Sequence, residues 1–284
     1  GCEVRHSYFH HSLCHEGGHG YGVSCIKHSS NILVEDNIFY ALRSDLTIAT
    51  GTNGSVFSYN YMGEDISVHG HYSYMNLYED NYVDEIGIAD WWGPAGPGNT
   101  YFRNRVFGVG IFYRDQSHQQ NVLGNITTYL YDDDGTSQEK LEHGNVVAGR
   151  TQWHDTIPDH TLPDSYYLEG KPEFFRDFEW PVCGPDVEKP LKIPARYRFE
   201  QLMRKREGFF TDQWQPKSIA IPSYNNIVPP VVSETVTVYV DPRDILSGIS
   251  PFSSGHDLNY SLAKYYFIPE LQMNMKDLYP GILR

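Results

Sequence analysis

The sequence has no long apolar run and comparatively few basic residues. Among its 284 residues, Lys and Arg number 22 against 36 Asp and Glu, which gives a formal net charge of -14 at pH 7. A nucleic-acid backbone or an anionic membrane surface would be repelled by such a chain. No apolar run approaches the roughly 18 residues that a transmembrane helix needs. We therefore expect no nucleic acid as a partner and no membrane span, and cations are the more natural ligands.

Cysteine is scarce, and its spacing excludes a zinc site or a redox motif. The four cysteines, Cys2, Cys14, Cys25 and Cys183, fit neither a Cys-x-x-Cys motif nor a zinc-ligand spacing. Cys25 alternates with Val23 as an inward position, so we interpret it as part of the core. The sequence does not decide whether Cys2 and Cys14 form a disulfide. The chain begins inside a strand-like pattern without Met, so we expect a processed precursor or further residues upstream.

The sequence does contain a repeat. An Asn recurs before an apolar residue with successive gaps of 23, 21, 23, 21 and 20 residues, at Asn37, Asn60, Asn81, Asn104, Asn125 and Asn145. Periods of this size are typical of solenoids, in which each repeat is one unit stacked on the next. Apolar residues come in alternating pairs such as Ile66 and Val68, which is the period that strands require. A leucine-rich repeat is disfavoured because Leu is scarce, so short strands stacked coil on coil are predicted.

The repeated Asn is predicted to be a structural corner. Stacked coils place each Asn above the previous one, where the side-chain amides can hydrogen-bond along the column. Asn also tolerates the left-handed backbone conformation of a tight bend. We therefore expect an Asn ladder rather than glycosylation, although the tripeptide that begins at Asn125 fits a glycosylation sequon.

Residues 1–150, with this Asn period and these alternating pairs, resemble the right-handed parallel β-helix proteins of the pectate-lyase-like superfamily and its bacterial secreted relatives. The resemblance implies an all-β fold, a right-handed parallel β-helix solenoid. It also implies a protein that acts outside the cell or at the cell surface. The segment 161–186 resembles the stretch that follows the last coil in some of those proteins.

The chain beyond the repeat changes character in two steps. Residues 151–190 are rich in Pro and aromatic residues, which predicts an irregular segment packed on the solenoid. Residues 191–284 are predicted to form a C-terminal extension. Within it, 194–207 has Pro194 near its start and basic residues toward its end, which favours a short helix. Residues 231–240 alternate as one isolated strand.

An alignment of the strands that follow each Asn places three carboxylates in one column. Asp45, Asp65 and Glu85 each precede the first inward residue of their strand. Neighbouring strands lie about 4.8 Å apart, so the stacked charges either raise a pKa or are relieved by a bound cation. Oxygen-rich carboxylate clusters suit Ca²⁺. A solvated acidic stripe with diffuse counter-ions is the alternative.

Outward positions further along the same strands carry groups that suit sugar rings. Aromatic surfaces and hydrogen-bonding groups lie beside the carboxylates at His69, His71, Trp91, Tyr113 and Arg114. His71, Trp91 and Tyr113 are the predicted substrate-binding residues. We therefore expect a polysaccharide as the partner.

The resemblance to pectate-lyase-like enzymes implies a chemistry for this strip. In those enzymes a Ca²⁺ acidifies the proton beside a uronate carboxylate, and an Arg or Lys removes it. By that resemblance Arg114 is the candidate base, and Asp45, Asp65 and Glu85 are the candidate metal ligands. His69, on the same strip, is the second predicted catalytic residue. The implied function is an extracellular polysaccharide-binding protein with Ca²⁺-dependent, lyase-like activity.

A structural role is the alternative. A strand without a neighbour has unpaired backbone N–H and C=O groups. We therefore predict that 231–240 pairs with an exposed edge of its own solenoid or of a neighbouring subunit. Terminal coils also expose strand edges unless a cap covers them. A homo-oligomer formed through coil ends or through this strand would make the protein a structural or adhesive subunit of a fibre, spike or filament.

Overall fold

The repeat folds into a stack of short strands. The computed structural model describes residues 1–16, 18–90, 92–188 and 192–207, with the backbone alone at 205–207. In chain order the strands are β1 (Cys2–Arg5), β2 (Tyr8–His10), β3 (Tyr21–Cys25), β4 (Ile32–Glu35), β5 (Ile38–Tyr40), β6 (Ser44–Ile48), β7 (Val56–Ser58), β8 (Tyr61–Met62), β9 (Asp65–Val68), β10 (Leu77–Glu79), β11 (Tyr82–Ile88), β12 (Thr100–Phe102), β13 (Arg105–Tyr113), β14 (Asn121–Leu123), β15 (Ile126–Thr127), β16 (Leu130–Asp132), β17 (Leu141–His143), β18 (Asn145–Val147) and β19 (Arg150–Gln152). Helices in the described residues are a 3₁₀ helix at Glu173–Phe175 and an α-helix, α1, at Pro194–Glu207.

The strands form two sheets that run along the stack. The first sheet has seven parallel strands in the order β1-β4-β7-β10-β12-β14-β17. The second has twelve strands, and its long members β11 and β13 join the row of β2, β5 and β8 to the row of β3, β6 and β9. Within the described residues its last pair, β18 with β19, is antiparallel. The predicted all-β parallel solenoid is thus confirmed.

The Asn ladder is present as predicted. Each Asn Nδ2 donates to the Oδ1 of the next Asn at 3.0 Å, along the series Asn37, Asn60, Asn81, Asn104, Asn125 and Asn145. The same Oδ1 atoms accept the backbone N–H of the preceding Asn in the ladder. These side chains are buried. Because a buried amide without partners costs about 1–3 kcal/mol, the ladder explains why Asn recurs here.

The left-handed residue of each bend precedes the Asn, which corrects the prediction that placed it at the Asn itself. Asp36, Tyr59, Asp80 and Arg103 have φ of 55°, 57°, 51° and 51°. The next two bends use Gly at the same place, and glycine adopts such a φ without a steric penalty. The Asn side chain thus fixes the bend by its hydrogen bonds.

A second ladder, which the sequence analysis did not identify, supports another bend. Asn76 Nδ2 donates to Asn99 Oδ1 at 3.1 Å, and Asn99 Nδ2 donates to Gln120 Oε1 at 3.1 Å. The gaps between these residues, 23 and 21, match those of the first ladder. The signal was therefore present as a second, shorter series with the same period.

The solenoid interior is a column of apolar and aromatic side chains. Phe57 stacks on Tyr78 with ring centroids 5.2 Å apart, and Tyr78 stacks on Tyr101 at 4.7 Å. Cys25 belongs to this core, as predicted, and burial raises the pKa of its thiol to about 11. All four cysteines are free, so Cys2 and Cys14 form no disulfide.

One strand departs from the predicted register. Val83 of β11 pairs with Val106 of β13, but Glu85 pairs with Gly110, so β13 has two more residues than β11 at this point. Val109, two residues before Ile111, is 43% exposed and lies outside the core. The inward position opposite Ile86 belongs to Ile111. Such a bulge twists the strand and re-aims the side chains beyond it.

The segment after the coils contacts one corner of the solenoid. Arg103, which is fully buried, donates to both carboxylate oxygens of Asp186 at 2.7 Å and to the carbonyl oxygen of Cys183 at 2.6 Å. Tyr167 donates to Glu35 Oε1 at 2.6 Å. An apolar cluster separate from the solenoid core includes residues of this segment, of α1 and of the coils. These contacts hold the segment on the outer side of the bends.

The predicted helix at 194–207 is confirmed by α1. Within the described part of the chain, no helix is long and apolar enough to cross a membrane. The predicted strand at 231–240 and Trp91 lie outside the described residues.

Candidate functional site

The outward side of the second sheet presents three columns of side chains, which we call the column face. The middle column is fixed by strand register as Ser24, Thr47, Ser67, Gly87, Phe112 and Tyr131. One flanking column contains Asp45, Asp65, Glu85 and Gly110, and the other contains Ala49, His69, Ala89, Arg114 and Asp133. The middle column is small over four coils and aromatic over the next two.

The predicted acidic column is in register, but its members differ in environment. Asp45 is fully buried, and its Oδ2 accepts the backbone N–H of Glu64 at 2.7 Å. Asp65 Oδ1 accepts the backbone N–H of Asp45 at 3.0 Å. Burial raises the pKa of Asp45 to about 8, and burial also raises the pKa values of Asp65 and Glu85. The prediction that crowding would raise a pKa agrees in direction, with burial as the larger cause.

These carboxylates do not fit the predicted calcium site. Ca²⁺ takes six to eight oxygen ligands from ionised carboxylates, carbonyls and water, whereas Asp45 favours its neutral form and two of the column's carboxylate oxygens already accept backbone N–H groups. Among the described residues, no group of three or more His, Cys, Asp or Glu is placed to hold a metal ion. Calcium binding therefore stays a prediction that rests on the resemblance alone.

His69 is held in place by an acidic residue that the sequence analysis missed. Its Nδ1 contacts Asp90 Oδ2, and Asp90 Oδ1 accepts the backbone N–H of Trp92 at 3.0 Å. The Trp92 ring lies 5.6 Å from the ring of His69 and 6.2 Å from that of His71. Burial lowers the pKa of His71, which favours its neutral form. The four side chains form one cluster at the edge of the column face.

This cluster combines a hydrogen-bonding imidazole, that of His69, with an apolar surface, the indole of Trp92. A carboxylate on Nδ1 orients the imidazole and leaves Nε2 for a ligand. Trp92 is 56% exposed, and an exposed indole is a surface on which a sugar ring stacks. Trp92 thus has the surroundings that the prediction assigned to its neighbour Trp91. The sequence showed both Trp residues but carried no signal to separate them.

Arg114 lies on the column face as predicted, two coils from His69. Its Nε and Nη2 donate to Asp133 Oδ2 at 2.9 and 2.5 Å, and its guanidinium lies 5.3 Å from the centroid of the Phe112 ring. Because the guanidinium donates two hydrogen bonds to this carboxylate, the geometry suits a binding residue better than a base. Tyr131, 40% exposed, lies beside Phe112 with ring centroids 5.8 Å apart.

Tyr113 is a correction to the predicted binding residues. Its side chain is 1% exposed and belongs to the solenoid core, where the ammonium of Lys140 lies 4.7 Å from the ring centroid. Tyr113 pairs with the inward-facing Ile88, so it faces the core as well. Tyr131, packed on the largely buried Phe112, supplies the exposed aromatic surface on this part of the column face.

Comparisons of the chain with protein-family models, with curated proteins and with solved structures give no match. The strand pairing defines the class of protein: it is a parallel β-solenoid, consistent with a β-helix.

Proposed function

We propose that the protein binds a polysaccharide strand along the column face. The observation that carries the proposal is the row of small residues, Ser24, Thr47, Ser67 and Gly87, which continues in register into aromatic Phe112 and Tyr131. The small side chains of this row leave space for sugar rings between the acidic column on one side and the column of His69 and Arg114 on the other. Trp92 beside His69 supplies a second stacking platform. Sugar sites combine such aromatic faces with a few fixed polar groups.

The charge of the protein favours an uncharged polysaccharide. The net charge is -14, and Asp65 and Glu85 flank the row of small residues with raised pKa values. A polyanion brought to this face would raise the repulsion between carboxylates. Sugar hydroxyls, by contrast, can donate to carboxylate oxygens without adding charge. Neutral glycans are therefore the proposed substrate class.

Affinity gel electrophoresis against neutral and uronate-containing polysaccharides tests this proposal. We expect retardation by at least one neutral glycan, and an affinity lowered about tenfold or more by Trp92→Ala and by Tyr131→Ala, because each removes a stacking surface. Tyr166→Ala is the matched control, since Tyr166 is 50% exposed and packs on Phe102 at the corner instead. If no glycan binds, or if the control loses as much as the two variants, the proposal is wrong.

Proton transfer at His69 is a second candidate function, and the Asp90 contact favours it. With Nδ1–H directed at Asp90, the lone pair of Nε2 can take the proton beside a uronate carboxylate while the glycosidic C–O bond breaks and the leaving oxygen takes a proton from water; this candidate therefore acts on a uronate and not on the neutral glycans of the binding proposal. The lyase-like activity implied by the pectate-lyase resemblance is proposed in this form, with Arg114 as a binding residue. His69→Gln and Asp90→Asn should each lower the rate of unsaturated product formation by about a hundredfold or more, with binding retained. If polysaccharides bind but none yields an unsaturated product, the lyase proposal is wrong and the binding proposal stands.

The structural alternative depends on other residues. A homo-oligomer through coil ends or through 231–240, acting as an extracellular fibre or adhesive subunit, would leave column-face variants without effect on assembly. Deleting 231–284 should then reduce particle size in light scattering. An unchanged particle size would exclude assembly through this region.

A further inference from the structure

A cleft of about 350 Å³ lies between the first coil and α1 and shares no residue with the column face. Its lining includes His6, Tyr8, Ile38, Tyr197, Arg198 and Leu202. The volume falls in the range of about 300–1,000 Å³ that small-molecule sites occupy. The cleft is thus a separate candidate site, and its side chains indicate what it would bind.

One side chain of this cleft is oriented by a buried ion pair. Asp36 is fully buried, and its Oδ2 lies 2.7 Å from His6 Nδ1 and 2.9 Å from an Arg198 guanidinium nitrogen. Arg198 Nη2 also donates to the Asp36 carbonyl oxygen at 2.8 Å. The His6 side chain itself is 54% exposed. Since Asp36 occupies Nδ1, Nε2 is the nitrogen that His6 can offer to a ligand.

The side chains that line the cleft include no carboxylate. Of the eight described residues that line it, none is acidic, whereas the chain as a whole carries a net charge of -14. Arg198 and His6 supply a guanidinium and an imidazole at the cleft, and Asp36, which contacts both, lies beneath the surface. Tyr8, Tyr197 and Leu202 supply apolar surface. An anionic group on a flat apolar body is complementary to both features.

We propose that this cleft binds a small organic carboxylate. In the complex the His6 ring is doubly protonated: Nε2–H donates to the ligand carboxylate, and Nδ1–H donates to Asp36 Oδ2. The apolar body packs between the tyrosines and Leu202. This site is independent of polysaccharide binding, so the two proposals succeed or fail separately.

Benzoate, benzyl alcohol and benzylamine, which share one ring and differ in charge, serve as probes in ligand-observed NMR titrations of the full chain. We expect benzoate to bind at least about tenfold more tightly than the other two, because a charge-assisted hydrogen bond is lost with the alcohol and the amine. His6→Asn should remove this preference. Leu202→Trp should block all binding by filling the cleft, since Leu202 is 38% exposed and a larger side chain is tolerated at its place.

The matched control is Leu13→Trp, the same substitution at a residue that is 85% exposed and does not line the cleft. It should leave benzoate binding unchanged. Equal binding of the three probes, no binding of benzoate, or benzoate binding that survives both His6→Asn and Leu202→Trp would each overturn the proposal. His6→Asn and Leu202→Trp are checked for folding by circular dichroism. If only one of them folds, its effect on the benzoate titration decides the outcome.

Discussion

Replacing the buried Asp45 by Asn should make the stability of the protein less dependent on pH. Burial raises the pKa of Asp45 from its ordinary value of 3.8 to about 8 in the folded state. The folded protein therefore holds a proton that the unfolded chain releases, between about pH 4 and about pH 8. The contribution of protonated Asp45 to the free energy of unfolding is fully present below the unfolded pKa, and it is lost as the pH rises through the folded pKa. Asn cannot ionise, so the variant lacks this loss.

The expected magnitude follows from proton linkage. One proton taken up on folding changes the unfolding free energy by about 1.4 kcal/mol per pH unit. Between about pH 5 and about pH 7, the wild type should lose about 2–3 kcal/mol relative to Asp45→Asn. Glu64 and Asp65, which contact Asp45, are present in both proteins, so their own contributions largely cancel in the difference.

Urea unfolding of both proteins at the two pH values measures this difference. Asp134→Asn is the control, because a hydrogen bond from Thr136 lowers the pKa of the exposed Asp134 carboxyl, so it stays ionised over the whole interval. For the control, the difference from wild type should not change with pH. A difference between wild type and Asp45→Asn that is the same at both pH values would show that Asp45 is ionised in the folded protein, and the reasoning would fail.

Three further changes test the architecture, each by urea unfolding. Asn81→Ala removes one rung of the ladder and leaves the backbone N–H and the side-chain Nδ2 of Asn60 without the Oδ1 acceptor that both share, so a loss of about 2–4 kcal/mol is expected. Arg103→Met leaves Asp186 without its bidentate partner and should cost about 3–5 kcal/mol. The double variant that also carries Asp186→Asn should recover most of this loss, because it removes the unpaired carboxylate. Deletion of Phe107 and Gly108 should keep the pairing of Gly110 with Glu85 and lower the free energy of unfolding by less than about 2 kcal/mol. A decrease as large as that of Asn81→Ala would show that the fold requires the bulge.

The ladder and the class of fold could be predicted from the sequence because both depend on one periodic requirement. A buried amide column needs Asn at every coil, so the Asn recurs wherever the chain returns to that bend. The contact of His69 with Asp90 could not be predicted in the same way. It joins two coils through side chains that each occur once, and nothing in the period marks them. A functional cluster on a solenoid is therefore less visible in the sequence than the bends that position it.

The register of the columns beyond the bend differs from the predicted one for a specific physical reason. From the ladder Asn to the acidic-column position, the chain advances 8 residues at Asp45 (45 − 37), 5 at Asp65 (65 − 60), 4 at Glu85 (85 − 81) and 6 at Gly110 (110 − 104). The ladder constrains only the bend, whereas the stretch that follows it is free to vary in length. The coil that contains the bulge spans 21 residues, the same as the coil that begins at Asn60, so the total period conceals the two additional residues. Column assignments beyond a bend therefore need the strand pairing as well as the period, and the aromatic surface of the column face follows from that pairing.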